Sequence, residues 1–136
     1  MARMTEKIKE LFKKRPVVSL ATASKGGIPN VVAIGAKKIL DDETILVSDQ
    51  YFDKTLSNLR ENPTAAIAFW DKNEGYQLKG TVTVETSGPR YEETVRWIDD
   101  VARQLELPLK SKRAVIITIT EIYSITPGGS AGRRIA

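Results

Sequence analysis

Apolar residues recur along this chain with two periods, one near 3.6 and one of 2, and each change of period marks the end of an element. In residues 5–15, Ile8, Leu11 and Phe12, with Met4 ahead of them, make one narrow apolar stripe among lysines, which predicts an amphipathic helix that exits at Pro16. Such a basic helix can lie on a membrane, but the narrow stripe favours packing on the protein's own sheet. Residues 17–23 alternate, 24–29 supply a Gly-Gly turn and 30–40 resume as one long strand, a hairpin signature. A tight turn at 41–43 leads to a strand over 44–48, and a short helix over 54–61 closes at Asn62-Pro63. Residues 64–70 are almost continuously apolar, which predicts a strand buried on both faces, and 76–85 alternate after a turn at 71–75. Pro89 opens a longer helix with Tyr91, Val95, Ile98, Ala102 and Leu105 on one face until Pro108. The last strand, over 114–125, alternates Val115, Ile117 and Ile119 and ends at Thr126-Pro127-Gly128-Gly129.

Five or six strands joined mostly by short turns favour an antiparallel, meandering or Greek-key barrel over a parallel sheet. The fold class expected is therefore mainly β, a small β-barrel with flanking helices. The glycine-rich stretch 128–132 lacks the Lys-Ser or Lys-Thr ending of a phosphate loop. The tail 128–136 is expected to be flexible or to fold over a partner subunit or ligand.

A length of 136 residues with 41% hydrophobic content predicts one domain, 1–136, with residues 1–15 as its helical start. A net charge of +4 favours anionic partners only mildly. No stretch is apolar enough to span a bilayer or to form a signal-peptide core, so a cytoplasmic protein with no membrane partner is expected. The chain has no cysteine and no histidine, which removes disulfides, thiolate nucleophiles, Ser-His-Asp triads and cysteine or histidine metal sites. No metal site and no catalytic side chain is assigned. Asp41, Asp42 and Glu43 in a turn, and Asp99 with Asp100 on a helix, read as solvated surface rather than paired acid and base.

The candidate chemistry lies in the run Leu46 to Thr55, a strand that breaks into a helix start carrying Lys54 and Thr55. A helix opening at Asp53 presents unpaired backbone N–H groups, and Lys54 and Thr55 add a charged and a neutral donor, a setting suited to phosphate. The alternative is an ordinary helix start capped by Asp53.

Taken together, the strand over 45–48, the Asp53-Lys54-Thr55 helix start, the Asn62-Pro63 exit and the apolar strand to Trp70 resemble the pyridoxamine 5′-phosphate oxidase-like FMN-binding split-barrel family, and its small FMN-binding proteins most. The resemblance is densest over 31–80 and implies a six-stranded antiparallel split barrel of the FMN-binding type. It implies that Lys54 and Thr55 hold the flavin phosphate and that Ser48, Asp49 and Gln50 run beside the ribityl chain and ring. It places Ala33, Ile34 and Gly35 with their backbone against the ring, and Gln77 on the ring from a neighbouring strand. It also implies a homodimer with FMN at the subunit interface, for which Trp70 and Tyr76 are candidate aromatics, core packing being the ordinary role for the tryptophan. The chain departs from the vitamin-forming oxidase in lacking histidine and in its tail, which argues against pyridoxamine phosphate oxidation.

The function expected is that of an FMN-binding oxidoreductase or electron-transfer protein, served by NAD(P)H or a protein electron donor, with Lys37, Lys38 or Lys79 as candidate cations near the ring. Alternatives are a deazaflavin-dependent reductase, a non-catalytic flavin-binding module and, in another class, a nucleic-acid-binding barrel suggested by a pI of 9.4. Aromatics at 7% with none interleaved in a lysine cluster argue against nucleic acid as a partner.

Overall fold

The stripe Ile8, Leu11 and Phe12 becomes the buried face of α1 (Glu6–Lys14), whose N-cap Thr5 accepts a hydrogen bond from the Ile8 N–H. In the computed structural model, which describes residues 1–136, this helix closes one end of a sheet rolled from seven antiparallel strands. Phe12 packs edge-on against Phe69 with ring centroids 5.3 Å apart and is almost fully buried. No helix is long and apolar enough to cross a membrane.

In chain order the strands are β1 (Val18–Ala23), β2 (Pro29–Ile34), β3 (Lys37–Asp41), β4 (Thr44–Asp49), β5 (Thr64–Trp70), β6 (Gly75–Glu85) and β7 (Arg113–Ser124). The helix α2 (Lys54–Glu61) lies between β4 and β5, and α3 (Pro89–Leu105) between β6 and β7. The sheet order is β2-β1-β5-β6-β7-β4-β3.

The expected single strand over 30–40 is broken at Gly35 and Ala36, so there are seven strands in place of six. The cause is long-range pairing. β2 pairs only with β1 and β3 only with β4, which puts them on opposite edges of the sheet. From Ile34 to Lys37 is three Cα steps, at most about 11 Å, so the sheet must curl until its two edges nearly meet. The result is a barrel split along the line between β2 and β3.

A second difference concerns β5. Ala65, Ile67 and Phe69 face the core, but Ala66 and Ala68 are half-buried and Trp70 is 54% exposed, so the strand is covered on one face only. Tyr76 is buried, its hydroxyl donates to Glu74 at 2.7 Å, and burial with that bond pushes its pKa up to about 12. The tail does not leave the body. Ser124 N–H donates to Arg133 and Ile135 N–H to Ile122, so the tail lines β7 beyond the point where β4 ends.

Candidate functional site

β4 runs into the core as Ile45, Leu46 and Val47 and ends at Ser48 and Asp49, both buried. Asp49 accepts from the Phe52 N–H at 2.9 Å and from Arg113 at 2.9 Å, an ion pair that fixes the loop between β4 and α2. That loop delivers α2 with its N-terminus open. Asp53 holds the N-cap position but its side chain makes no capping bond, and the first helical bond runs from Ser57 N–H to the Asp53 carbonyl. The N–H groups of Lys54, Thr55 and Leu56 therefore have no partner in the protein. The alternative of a start capped by Asp53 is not realised: at φ −130° and ψ −83° the residue is exposed and its side chain bonds to no helix N–H.

Thr55 is buried at this start. Its hydroxyl accepts from Asn30 Nδ2 at 3.0 Å and donates to no protein atom. Asn30 also reaches Thr22, which accepts in turn from Asn58 at 3.1 Å, so α2 is tied to β1 and β2 by side-chain amides.

A cavity of about 690 Å³ opens at the split of the barrel, in front of this helix start. One wall is the β2 edge and the crossing, Asn30 and Val32 to Ala36; the floor is Ser48 and Gln50 to Thr55; the far wall is α3 with the segment after it, Trp97, Ile98, Val101, Leu105 and Leu109. Seven of the nine residues singled out from the sequence meet here: Ala33, Ile34, Gly35, Ser48, Gln50, Lys54 and Thr55. Two do not. Asp49 sits behind the loop on Arg113, and Gln77 lies on β6, opposite Ala68 and Tyr123 on the outer sheet face.

None of the three lysines considered as ring cations lines the cavity, although Lys38 lies against its Trp97 wall. Lys37 donates to the Phe12 carbonyl at 2.8 Å, and burial lowers its pKa. Lys38 stacks over Trp97 at 4.2 Å and Lys79 over Tyr123 at 5.1 Å. The α3 wall was missed by sequence reasoning, because Ile98 and Leu105 belong to a stripe that reads as core.

A rolled antiparallel sheet whose two edges part over a cavity, with a helix start inserted before its fifth strand, is a split β-barrel of the pyridoxamine 5′-phosphate oxidase-like kind. The chain belongs to the pyridoxamine 5′-phosphate oxidase family, whose model matches residues 4–126. It is 39% identical to an uncharacterised protein of Methanocaldococcus jannaschii, with 100% of this chain and 90% of the relative covered. It is similar to the crystal structure of HupZ from Group A Streptococcus, at 27% identity and a TM-score of 0.79 over 95% of this chain and 99% of that one. An FMN-binding protein of Syntrophomonas wolfei shares the fold at 20% identity and a TM-score of 0.76, covering 91% of this chain and 87% of the other. The fold extends to an F420 reductase (19% identity, TM-score 0.64, 88% and 98% covered) and to HutZ, the heme storage protein of Vibrio cholerae (16%, 0.59, 90% and 94%).

Proposed function

We propose that the protein binds FMN in this cavity, as a homodimer, and serves as a flavin-dependent oxidoreductase or electron carrier. The observation that carries the reading is the uncapped start of α2, where the free N–H groups of Lys54 and Thr55, the unused Thr55 hydroxyl hydrogen and the Lys54 side chain belong to the lining of one cavity. Asp53 is the one opposing charge, and it is exposed. The crossing also fits a flat ring. A Cβ added at Gly35 would meet no protein atom nearer than 3.8 Å, so packing within the chain gives no reason for glycine there, whereas a ring lying on the β2 backbone does.

When bound, FMN supplies electron and hydride transfer. In this reading the chain binds the phosphate with the α2 start, positions the ring along Ala33 to Gly35, and screens it from water with Trp97 and Val101 of α3. Heme is disfavoured, since without histidine or cysteine the only customary iron ligand on the cavity wall is Tyr51.

The outer sheet face supports the dimer. Ala33, Ser19, Ala68 and Gln77 form one cross-strand row, and Val31, Ala21, Ala66 and Lys79 the next, a face of mostly small residues that ends in Gln77 and Lys79, with Val31 exposed in it and Trp70 exposed at the end of β5. A two-fold axis through the middle of the first row would bring one subunit's Gln77 to the other's Ala33, beside its cavity. Gln77 would then act on the flavin of the other subunit.

The test is the visible spectrum of the purified protein titrated with FMN, beside sedimentation. The wild type should sediment as a dimer and hold one FMN per chain. Lys54→Met should weaken FMN about ten- to a hundredfold, the loss of a charged hydrogen bond of about 1.5–3 kcal/mol, and Ala68→Arg should give a monomer that loses FMN. No retained flavin, or unchanged affinity in Lys54→Met, would overturn the assignment; a deazaflavin spectrum would redirect it.

A further inference from the structure

Trp70 is the largest side chain that the sheet leaves exposed, and its place is built rather than incidental. It pairs with Gly75 across β5 and β6, and on the other side of Gly75 the Ile125 N–H donates to the Gly75 carbonyl at 3.0 Å. A Cβ at Gly75 would stand 2.9 Å from Trp70 Cβ and 2.9 Å from Ile125 Cγ1. Glycine is therefore what lets these two side chains close over the strand between them. Its φ is not positive, so packing and not backbone conformation accounts for it.

Carried one pair beyond Ser19, the registers of β1 with β5 and with β2 set Val17 opposite Trp70 and opposite Gly35. Gly35, Val17, Trp70, Gly75 and Ile125 thus form a further row on the outer face, two residues along each strand from the row of Ala33, Ser19, Ala68 and Gln77. Val17 and Ile125 are exposed like Trp70, and the row carries no polar or charged side chain. Its two ends differ. At one end Trp70 and Ile125 meet over Gly75; at the other Gly35 lines the cavity, and a Cβ there would meet nothing nearer than 3.8 Å. Gly35 and Gly75 lie equally far from the middle of the row, one strand beyond Val17 and one beyond Trp70. A two-fold axis parallel to the strands and midway between β1 and β5, the same that brings Gln77 to the other subunit's Ala33, sets Gly35 opposite the partner's Gly75. The partner's paired side chains then fall on the vacancy over Gly35. A partner with a polar surface would lose hydration against this row, whereas a second copy brings the same apolar row.

We infer that Trp70 and Ile125 of the partner subunit close the cavity at Gly35, so that each ligand site is completed in trans by an apolar pair. This rests on the reading of the protein as a homodimer that holds FMN along Ala33 to Gly35. Trp70 is then a cofactor-binding residue of the other subunit's site, and its own subunit's site draws on the other copy.

The test is FMN titration of Trp70→Ala alone and after subunit exchange with Lys54→Met. Trp70→Ala should bind FMN about tenfold more weakly than the wild type. A mixed dimer contains one site with its own Lys54 and the partner's Trp70 both intact, so an equimolar mixture should recover wild-type affinity in about a quarter of its sites. If Trp70 acted within its own chain, no site in the mixture would recover. A Trp70→Ala protein that sediments as a monomer is judged in the same mixture, where the Lys54→Met subunit supplies a Trp70. Unchanged affinity in Trp70→Ala, or a mixture without wild-type sites, overturns the inference while weakened binding in Lys54→Met still upholds the flavin reading. A second arm needs no flavin. In Trp97→Phe the only tryptophan left is Trp70, and adding Ala68→Arg should shift its emission to the red as the dimer parts. A wild type that holds no FMN refutes the flavin reading, and that emission then decides the contact: a red shift keeps Trp70 in the interface, and no shift removes it.

Discussion

Replacing Gly80 by alanine should cost the protein a large share of its stability. Gly80 lies where the register of β6 against β7 shifts. A Cβ there would stand 2.3 Å from the Thr118 carbonyl oxygen and 3.0 Å from Ile117 Cγ2. The Gly80 backbone is not left-handed, so the strain in the variant would come from that contact and not from φ. The obstacle cannot swing aside as a flexible side chain could. Thr118 is backbone, paired to Thr81 of β6 on one side and Thr44 of β4 on the other, so relief requires prising strands apart by about 1 Å in the middle of the sheet. Overpacking costs about 1–3 kcal/mol, and an obstacle held on both sides belongs at the top of that range, about 3 kcal/mol against a total of about 5–15 kcal/mol. For a chain of this size that lowers Tm by roughly 10 °C. Urea unfolding followed by far-ultraviolet circular dichroism should show a lower midpoint with an unchanged slope. Gly26→Ala is the control, since its Cβ would meet nothing nearer than 3.8 Å, and it should stay within about 0.5 kcal/mol of the wild type. A Gly80→Ala protein within about 1 kcal/mol of the wild type would refute the reasoning and show that the β6–β7 ladder yields freely at its bulge.

Asp49→Ala should destabilise by about 3 kcal/mol in the same urea assay, because it strands the Arg113 guanidinium, whose Nε is already buried without a partner, and frees the Phe52 N–H; a cost near zero would mean the ion pair does not hold the loop. The pair of Lys9 and Asp42, 2.6 Å apart, should make stability depend on pH at both ends. Lys9 lowers the Asp42 pKa below its usual 3.8, so that contribution is present above 3.8 and lost as pH falls through the lower folded value. Asp42, followed by Glu6, raises the Lys9 pKa above 10.5, so that contribution is present below 10.5 and lost as pH rises through the higher folded value. Urea midpoints of wild type and Asp42→Asn should therefore differ between pH 3.8 and 10.5, and the difference should shrink as pH falls through the lowered Asp42 pKa or rises through the raised Lys9 pKa; a constant difference across the acid range would count against the pairing.

The elements that sequence reasoning located well are those whose signals are local. The stripe Ile8, Leu11, Phe12 with Pro16 behind it, and the stops at Pro63 and Pro108, mark helices through periodicity and a missing N–H. The break between β2 and β3 carries only Gly35 as a local mark, too weak to end a strand by itself, and it is pairing to β1 and β4, far apart in the sheet, that divides the stretch. Ala66 and Ala68 misled for a related reason: hydrophobicity does not separate a core face from an uncovered one, so 64–70 read as buried twice over. Lys54 and Thr55 were legible because a helix start is a local event, whereas Trp97 and Val101 reach the cavity only through the packing of α3 on β7, with Leu46 and Ile116 beneath Trp97.

The crossing at Gly35 and Ala36 explains why the cavity and the outer face occur together. Because the link is two residues long, β2 and β3 must come close, yet they are not hydrogen-bonded to one another, and an unclosed barrel leaves strand edges to be covered. On the side facing α3, the β2 edge opens onto the cavity together with the free N–H groups of α2. On the outer face the same strand presents Val31 and Ala33 as the first members of the two small-residue rows. A closed barrel would satisfy β2 internally and remove the cavity. Opened by a two-residue crossing, the strand has one side free for a flat ligand and one for a neighbouring sheet, which is why the proposed flavin site and the proposed dimer share β2.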